Sequence, residues 1–177
     1  MMSTTDAGAN TMQKEVVSLL EFVRTGSLGD LSLGDEMRSF GQRFGPPTSW
    51  EPRWENYFPA IWMYGDVQVF MEEIELGKIV LSYILIQPGY RRTNQVIGGG
   101  RLRLAADGIE PYMSLPAFLE LMDSNGVAHE DARRAGLKPG VGAFLALNKT
   151  TFATFWHEDE DRRMGELQLS AIEVSRQ

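Results

Sequence analysis

The order of helix-like and strand-like segments repeats once along this chain, and such a repeat limits the folds that the chain can adopt. In each half, a segment with apolar residues at helical spacing ends at a glycine, first at Gly45 and again at Gly126. A connector and three segments typical of antiparallel strands follow each glycine. The sequence therefore predicts an α+β fold of two pseudo-repeated halves, each a helical segment packed on an antiparallel meander. We expect the halves to form one curved sheet with the helices on one face.

The predicted strands of the two halves correspond one to one, although the halves share almost no identical residues. The matched segments are Ala60–Tyr64 with Ala143–Leu147, Val67–Phe70 with Thr150–Ala153, and Gly77–Leu81 with Gly165–Leu169. We predict a disordered leader over residues 1–11, a first half over residues 12–106 and a second half over residues 107–177.

Helical segments and turns follow from the same patterns. Apolar spacing predicts helical segments over Met12–Arg24, over Gly34–Arg43, from the N-cap Ser114 to Asn125-Gly126, and, as a single turn, over His129–Ala135. Gly65-Asp66 has the composition of a two-residue turn between strands. Gly98–Gly100 is predicted to be a flexible loop.

Composition and charge exclude several classes of function. The chain has 177 residues, of which 43% are hydrophobic and 23% are charged, as in globular proteins. It has no cysteine, which excludes disulfides, thiol nucleophiles and cysteine-ligated metals. The net charge of −7 opposes binding to nucleic acid, because that affinity comes mainly from neutralising phosphates. An acidic surface favours basic protein partners instead.

Neither a membrane-spanning segment nor a signal peptide is predicted. No stretch approaches the roughly 18 consecutive apolar residues that a spanning helix needs. Residues 1–10 lack the basic and apolar regions of a signal peptide, which predicts a cytoplasmic protein.

The sequence contains few residues that could carry out catalysis. Its two histidines, His129 and His157, are the candidates for the base of a triad, and no phosphate-binding loop is present. We therefore predict no enzyme activity, no cofactor and no metal. An alternative hypothesis is a small-molecule or metal-binding domain, or an enzyme, that uses His157 and the carboxylates after it. A third is a structural subunit of a larger assembly.

Aromatic and acidic side chains are the candidate contacts with a protein partner. Tryptophan and tyrosine are strong interface anchors, and an acidic turn can steer a basic partner. The predicted partner-binding residues are Trp62, Tyr64, Tyr83 and Trp156, together with the acidic run Glu158, Asp159, Glu160 and Asp161.

Residues 31–70 follow a recurring bacterial pattern. A short helix with Met37 and Phe40 ends at Phe44-Gly45-Pro46-Pro47, and a later strand reads Trp62-Met63-Tyr64-Gly65-Asp66-Val67-Gln68-Val69-Phe70. This pattern resembles the small outer-membrane assembly lipoprotein domain (SmpA/OmlA-like) and its tandem relative of the β-lactamase-inhibitory-protein type. It also resembles bacterial cytoplasmic proteins encoded beside polymorphic toxins and taken to be immunity proteins.

The resemblance implies an inhibitory, protein-binding function. The chain differs from the secreted inhibitor by having no cysteine and no signal peptide, and from the lipoprotein by having no lipobox cysteine. These differences favour the intracellular immunity type, which would neutralise a toxin or effector enzyme by covering its active site. We expect the partner to be a basic toxin domain and the protein to be a monomer or weak dimer.

Overall fold

The computed structural model describes residues 15–52, 59–88, 97–132, 142–156 and 167–175. Within these ranges the helices are α1 (Leu19–Thr25), α2 (Met37–Phe44) and α3 (Leu115–Ser124). The strands are β1 (Glu15–Ser18), β2 (Ser49–Pro52), β3 (Pro59–Tyr64), β4 (Val67–Glu75), β5 (Lys78–Ile86), β6 (Ile97–Gly99), β7 (Leu102–Ala105), β8 (Glu130–Asp131), β9 (Gly142–Ala146), β10 (Thr151–Trp156) and β11 (Gln168–Ser175).

Most of the described strands belong to one large sheet. Their order is β2-β3-β4-β5-β11-β10-β9-β8, and each neighbouring pair is antiparallel. A second, small sheet has the order β1-β7-β6, with β1 parallel to β7. The predicted α+β class with a large antiparallel sheet is therefore confirmed.

The pairing of β5 with β11 holds the large sheet together, and we call it the seam. Strands β2 to β5 lie on one side of the seam and β8 to β11 on the other. Ile86 stands opposite Ile172, and Ile84 stands opposite Val174. All four side chains are buried, and their β-branched shape suits a pleated surface packed on a core.

Helices α2 and α3 pack aromatic rings against the large sheet. The Phe40 ring of α2 lies 5.6 Å from the Tyr64 ring and 6.5 Å from the Trp62 ring, between centroids. Phe118 of α3 meets Phe155 of β10 with a centroid separation of 5.2 Å. These contacts place α2 over the first strands of the sheet and α3 over the last ones.

Helix α1 is held at its C-terminus by the turn between β9 and β10. Asn148 Nδ2 donates to the carbonyl oxygens of Val23 at 3.1 Å and Arg24 at 3.0 Å. Asn148 Oδ1 accepts from the backbone N–H groups of Thr150 and Thr151, each at 2.8 Å. One side chain therefore satisfies carbonyls at the helix end, which have no partner inside the helix, and shapes the turn as well.

The predicted helix Met12–Arg24 is wrong over Glu15–Ser18, where the chain forms β1; residues 12–14 lie outside the described ranges. Ser18 is the N-cap of α1, and its hydroxyl accepts a hydrogen bond from Glu21 N at 3.0 Å. Because the helix begins only after the N-cap, the residues before it are extended and pair with β7. Val17 enters the core from this strand.

Short strands also occur where other structure was expected. The predicted helical turn His129–Ala135 is wrong over Glu130–Asp131, which form edge strand β8 beside β9; residues 133–135 lie outside the described ranges. Ser49–Pro52, expected to lie in a connector, form edge strand β2. Helix α2 starts at Met37 rather than at Gly34, whose N–H donates to Leu81 O at 2.8 Å.

The predicted flexible loop Gly98–Gly100 is wrong for its first two residues, which lie in β6. The predicted turn Gly65-Asp66 between β3 and β4 is confirmed, and β6 packs directly against it. A Cβ atom on Gly65 would lie 2.4 Å from Gly98 O, and one on Gly99 would lie 2.8 Å from Gly65 N. The glycines are therefore required because two backbones approach each other closely.

We expect Gly65→Ala to lower the free energy of unfolding by more than about 3 kcal/mol, since it adds a backbone clash to the strain of a positive φ. Gly77→Ala is the matched control: φ is +78° there, against +65° at Gly65, and no described atom lies within 4 Å of the added Cβ. This control should cost only about 1 kcal/mol. Urea unfolding measures both losses, and equal values would contradict the close approach of β6 to the turn.

Candidate functional site

One row of directly opposite residues crosses the large sheet from edge to edge. Such residues on antiparallel strands place their side chains on the same face. From β2 to β8, the row contains Ser49, Met63, Gln68, Leu85, Glu173, Phe152, Ala146 and Glu130. A shorter row on this face contains Ile61, Phe70, Tyr83 and Ser175. The face is therefore continuous across the seam.

Aromatic rings pair on this face on both sides of the seam. Phe70 and Tyr83 meet edge to face, with centroids 5.0 Å apart and planes at 77°. Phe144 and Phe152 stack, with centroids 5.0 Å apart and planes at 8°. Trp156 lies on the same side of β10 as Phe152 and is 40% exposed. We call Phe70, Tyr83, Leu85, Phe144, Phe152 and Trp156 the aromatic face.

The composition of β5 explains why apolar side chains remain on this face. Ile84 and Ile86 point to the side that the helices contact, and both are fully buried. Tyr83 and Leu85 alternate with them and are only half-buried on the other side. Because β5 is apolar at almost every position, burying one of its faces leaves a second apolar face.

The carboxylate of Glu173 lies at the middle of the long row, between Leu85 and Phe152. Glu173 is 5% exposed, and the Tyr83 hydroxyl donates a hydrogen bond to its Oε2. A buried carboxylate is costly unless it is hydrogen-bonded, so Tyr83 stabilises it. Tyr83 belongs to β5 and Glu173 to β11, and their hydrogen bond therefore crosses the seam.

Trp62 and Tyr64, two of the predicted partner-binding residues, lie on the opposite face of β3, next to α2. Tyr64 has no exposed surface, and its hydroxyl donates to Gly45 O at 2.7 Å. Its ring therefore belongs to the core, where no partner can reach it. Trp62 is half-buried and packs against the same core.

Burial raises the pKa of Tyr64 well above its usual value of 10.0, although the nearby charge of Arg101 acts in the opposite direction. The pKa in the folded protein is above that in the unfolded chain, so on raising the pH the unfolded chain ionises first. The contribution of Tyr64 to the free energy of unfolding is therefore complete below about pH 10 and decreases as the pH rises above that value.

We expect Tyr64→Phe to lower the free energy of unfolding by about 1–2 kcal/mol near neutral pH, because the hydrogen bond to Gly45 is lost. The difference from wild type should shrink above about pH 10, since only the wild-type chain gains free energy by ionising this tyrosine on unfolding. Urea unfolding across this pH range measures both effects. Tyr112→Phe is the control because Tyr112 is 49% exposed. A difference that stays constant with pH would contradict the raised pKa.

Tyr83 and Trp156, the other predicted aromatic contacts, lie on the aromatic face. His157 and the acidic run Glu158–Asp161 lie outside the described residues, so the steering role of the run stays a prediction. Phe70, Phe144 and Phe152 did not appear among the predicted contacts. Strand alternation could have identified them. Phe152, for example, is an even number of residues from Trp156 in β10, so their side chains lie on the same face of the sheet.

The alternative of a small-molecule or metal-binding site uses His157 and the carboxylates after it, which lie outside the described residues, so it stays a hypothesis. The described residues contain no group of three or more His, Asp or Glu side chains that could hold a metal ion. His129 Nε2 lies 3.0 Å from Asp123 Oδ1, beside a cleft of about 270 Å³ lined by residues 128–130 and 146–149. This pair links the end of α3 to the segment that follows it.

Comparison of the chain with protein-family models, with curated proteins and with solved structures gave no match. The resemblance carried by residues 31–70 therefore stays a prediction. In the described part of the chain, no helix is long and apolar enough to cross a membrane.

Proposed function

We propose that this protein binds another protein through the aromatic face and blocks it, as an immunity protein neutralises a toxin or effector enzyme. The observation that carries the proposal is the aromatic face itself, in which half-buried and exposed rings lie on a sheet whose other face contacts the helices. In this proposal the protein acts in the cytoplasm, as a monomer or weak dimer, and catalyses no reaction.

The finer architecture is part of the same proposal. We propose that the helices cover one face of the large sheet and that the two halves are pseudo-repeats related across the seam. The first point is supported by the ring contacts of α2 and α3, which involve strand residues on the face opposite to Tyr83 and Phe152. The second is supported by the strand order. In each half, the described strand that comes first in the chain lies farthest from the seam, and the one that comes last lies at the seam.

The aromatic face has the dimensions and chemistry of an interface core. A sheet of eight strands, at about 4.8 Å between strands, is about 34 Å wide. A standard protein interface covers about 800 Å² of each partner, which fits on such a sheet. Interface cores are rich in aromatic residues, as this face is, and the Glu173 carboxylate on it is buried and hydrogen-bonded to Tyr83.

The charges around the face indicate a basic partner. The chain has a net charge of −7. Exposed acids lie at the end of β4, at Glu72, Glu73 and Glu75, and in edge strand β8, at Glu130 and Asp131. Acids at the rim of an interface speed the approach of a basic protein, and salt weakens this effect.

Affinity capture with the tagged full chain from cells of its natural host should recover one stoichiometric, basic protein. Trp156→Arg should then weaken binding at least about 30-fold, because it replaces an aromatic anchor by a charge that repels a basic partner. Surface plasmon resonance with the purified partner measures the loss.

Trp50→Arg is the matched control for this experiment. Trp50 is 56% exposed and stands opposite Trp62, on the face that contacts α2. The Trp50→Arg variant should bind the partner like wild type. Melting temperatures show whether either variant is misfolded. Equal binding by Trp156→Arg and wild type would contradict the proposal. Failure to recover any partner at low salt would favour the hypothesis of a small-molecule or metal-binding domain.

A further inference from the structure

In the described part of the chain, the β4–β5 hairpin continues past the last residues of β4 and β5 that pair with β3 and β11. Among the described residues, the pairing of β4 with β3 ends at Phe70, and the pairing of β5 with β11 ends at Tyr83. Strand β4 continues from there to Glu75. At about 3.3 Å per residue, the extension is about 16 Å long. We call residues 72–79 the hairpin arm.

Large apolar side chains are exposed at the tip of this arm. Leu76, in the turn, is 102% exposed, and Ile74 is 43% exposed. Six large hydrophobic side chains are exposed in the described part of the protein, and two of them lie in this short stretch. Single exposed apolar residues are common on protein surfaces. Two of them at the end of one hairpin can be buried together in a pocket of a partner protein.

The arm is fixed at both its root and its tip. At the root, Leu81 N donates to Asp35 O at 2.9 Å, and Gly34 N donates to Leu81 O at 2.8 Å. At the tip, the Glu73 carboxylate accepts from Gly77 N at 2.6 Å. A segment that is ordered before binding loses little conformational freedom when it binds, which favours affinity.

The charges of the arm define the partner that it fits. Glu72, Glu73 and Glu75 are exposed, against one cation, Lys78. An open cleft of about 570 Å³ lies beside the arm, between residues 36–38 and residues 76–79. The cleft leaves space for the rim of a partner next to the arm. An acidic arm with an apolar tip is complementary to a positively charged cleft with an apolar floor.

We propose that the hairpin arm inserts into a positively charged cleft of the protein partner, with Ile74 and Leu76 as apolar contacts and Glu72 and Glu75 as charged contacts. This inference rests on the proposed function and extends it. The aromatic face holds the surface of the partner, while the arm reaches into its cleft.

The first test places a photo-crosslinking phenylalanine analogue singly at Leu76, Trp156 and Trp50 in the full chain, expressed in the natural host. Leu76 and Trp156 should crosslink to the same protein, with the crosslink from Leu76 in a segment rich in lysine and arginine. Trp50 should give no crosslink. It stands opposite Trp62, on the face of the sheet that contacts α2, and therefore points away from the aromatic face.

The second test measures binding of the purified crosslinked partner. Leu76→Asn should weaken binding about 10–100-fold, as expected for loss of a buried leucine. The double variant Glu72→Gln/Glu75→Gln should slow association at low salt by about tenfold. Trp50→Asn is the control and should bind like wild type, because Trp50 is 56% exposed on the face that contacts α2.

The outcomes separate this inference from the proposed function. Crosslinks from Trp156 alone, or unchanged affinity of Leu76→Asn, would overturn insertion of the arm and leave the proposed function standing. Crosslinks from Leu76 alone would support the arm and overturn the aromatic face. No crosslink from either position would overturn both.

Discussion

The seam between β5 and β11 is the interaction on which the rest of the structure depends. The Tyr83–Glu173 hydrogen bond across it joins residues that are 90 positions apart in the sequence. Without the seam, each group of strands would end in an unpaired edge, which is prone to aggregation. With it, the chain forms one wide sheet whose outermost described strands are the short β2 and β8.

The aromatic face lies opposite the ring contacts of α2 and α3 and has apolar side chains of its own. Rings such as Phe144 and Phe152 bury part of their surface against each other, which lowers the cost of exposing them to water. The net charge of −7 opposes association between copies of the chain through this face. In the proposed function, the same charge would favour a basic partner.

Sequence patterns predicted the long elements of the fold, and missed the short ones. Strand alternation and the Gly65-Asp66 turn gave β4 and β5, and the N-cap Ser114 gave the start of α3. Strands β1, β6 and β8 were missed because pairing with other parts of the chain stabilises them, and local propensity does not reveal such pairing. The glycines of β6 looked like a loop because their close contact with Gly65 involves a distant turn.

The site could be predicted only in part, for the same reason. Tyr64 and Tyr83 are both tyrosines on apolar strands, and the sequence does not distinguish them. What separates them is the position of the helices: Phe40 covers Tyr64, whereas Tyr83 lies on the other face beside Phe70. Alternation groups residues by face, but tertiary packing decides which group is buried.

Native-state amide hydrogen exchange at the seam tests whether both groups of strands form one cooperative sheet. If they do, the amides of Ile84 and Ile86 in β5 and those of Ile172 and Val174 in β11 exchange through the same opening. Its free energy should equal that of global unfolding in urea. Exchange of the β11 amides through a much less costly opening, while those of β5 remain protected, would contradict one cooperative sheet.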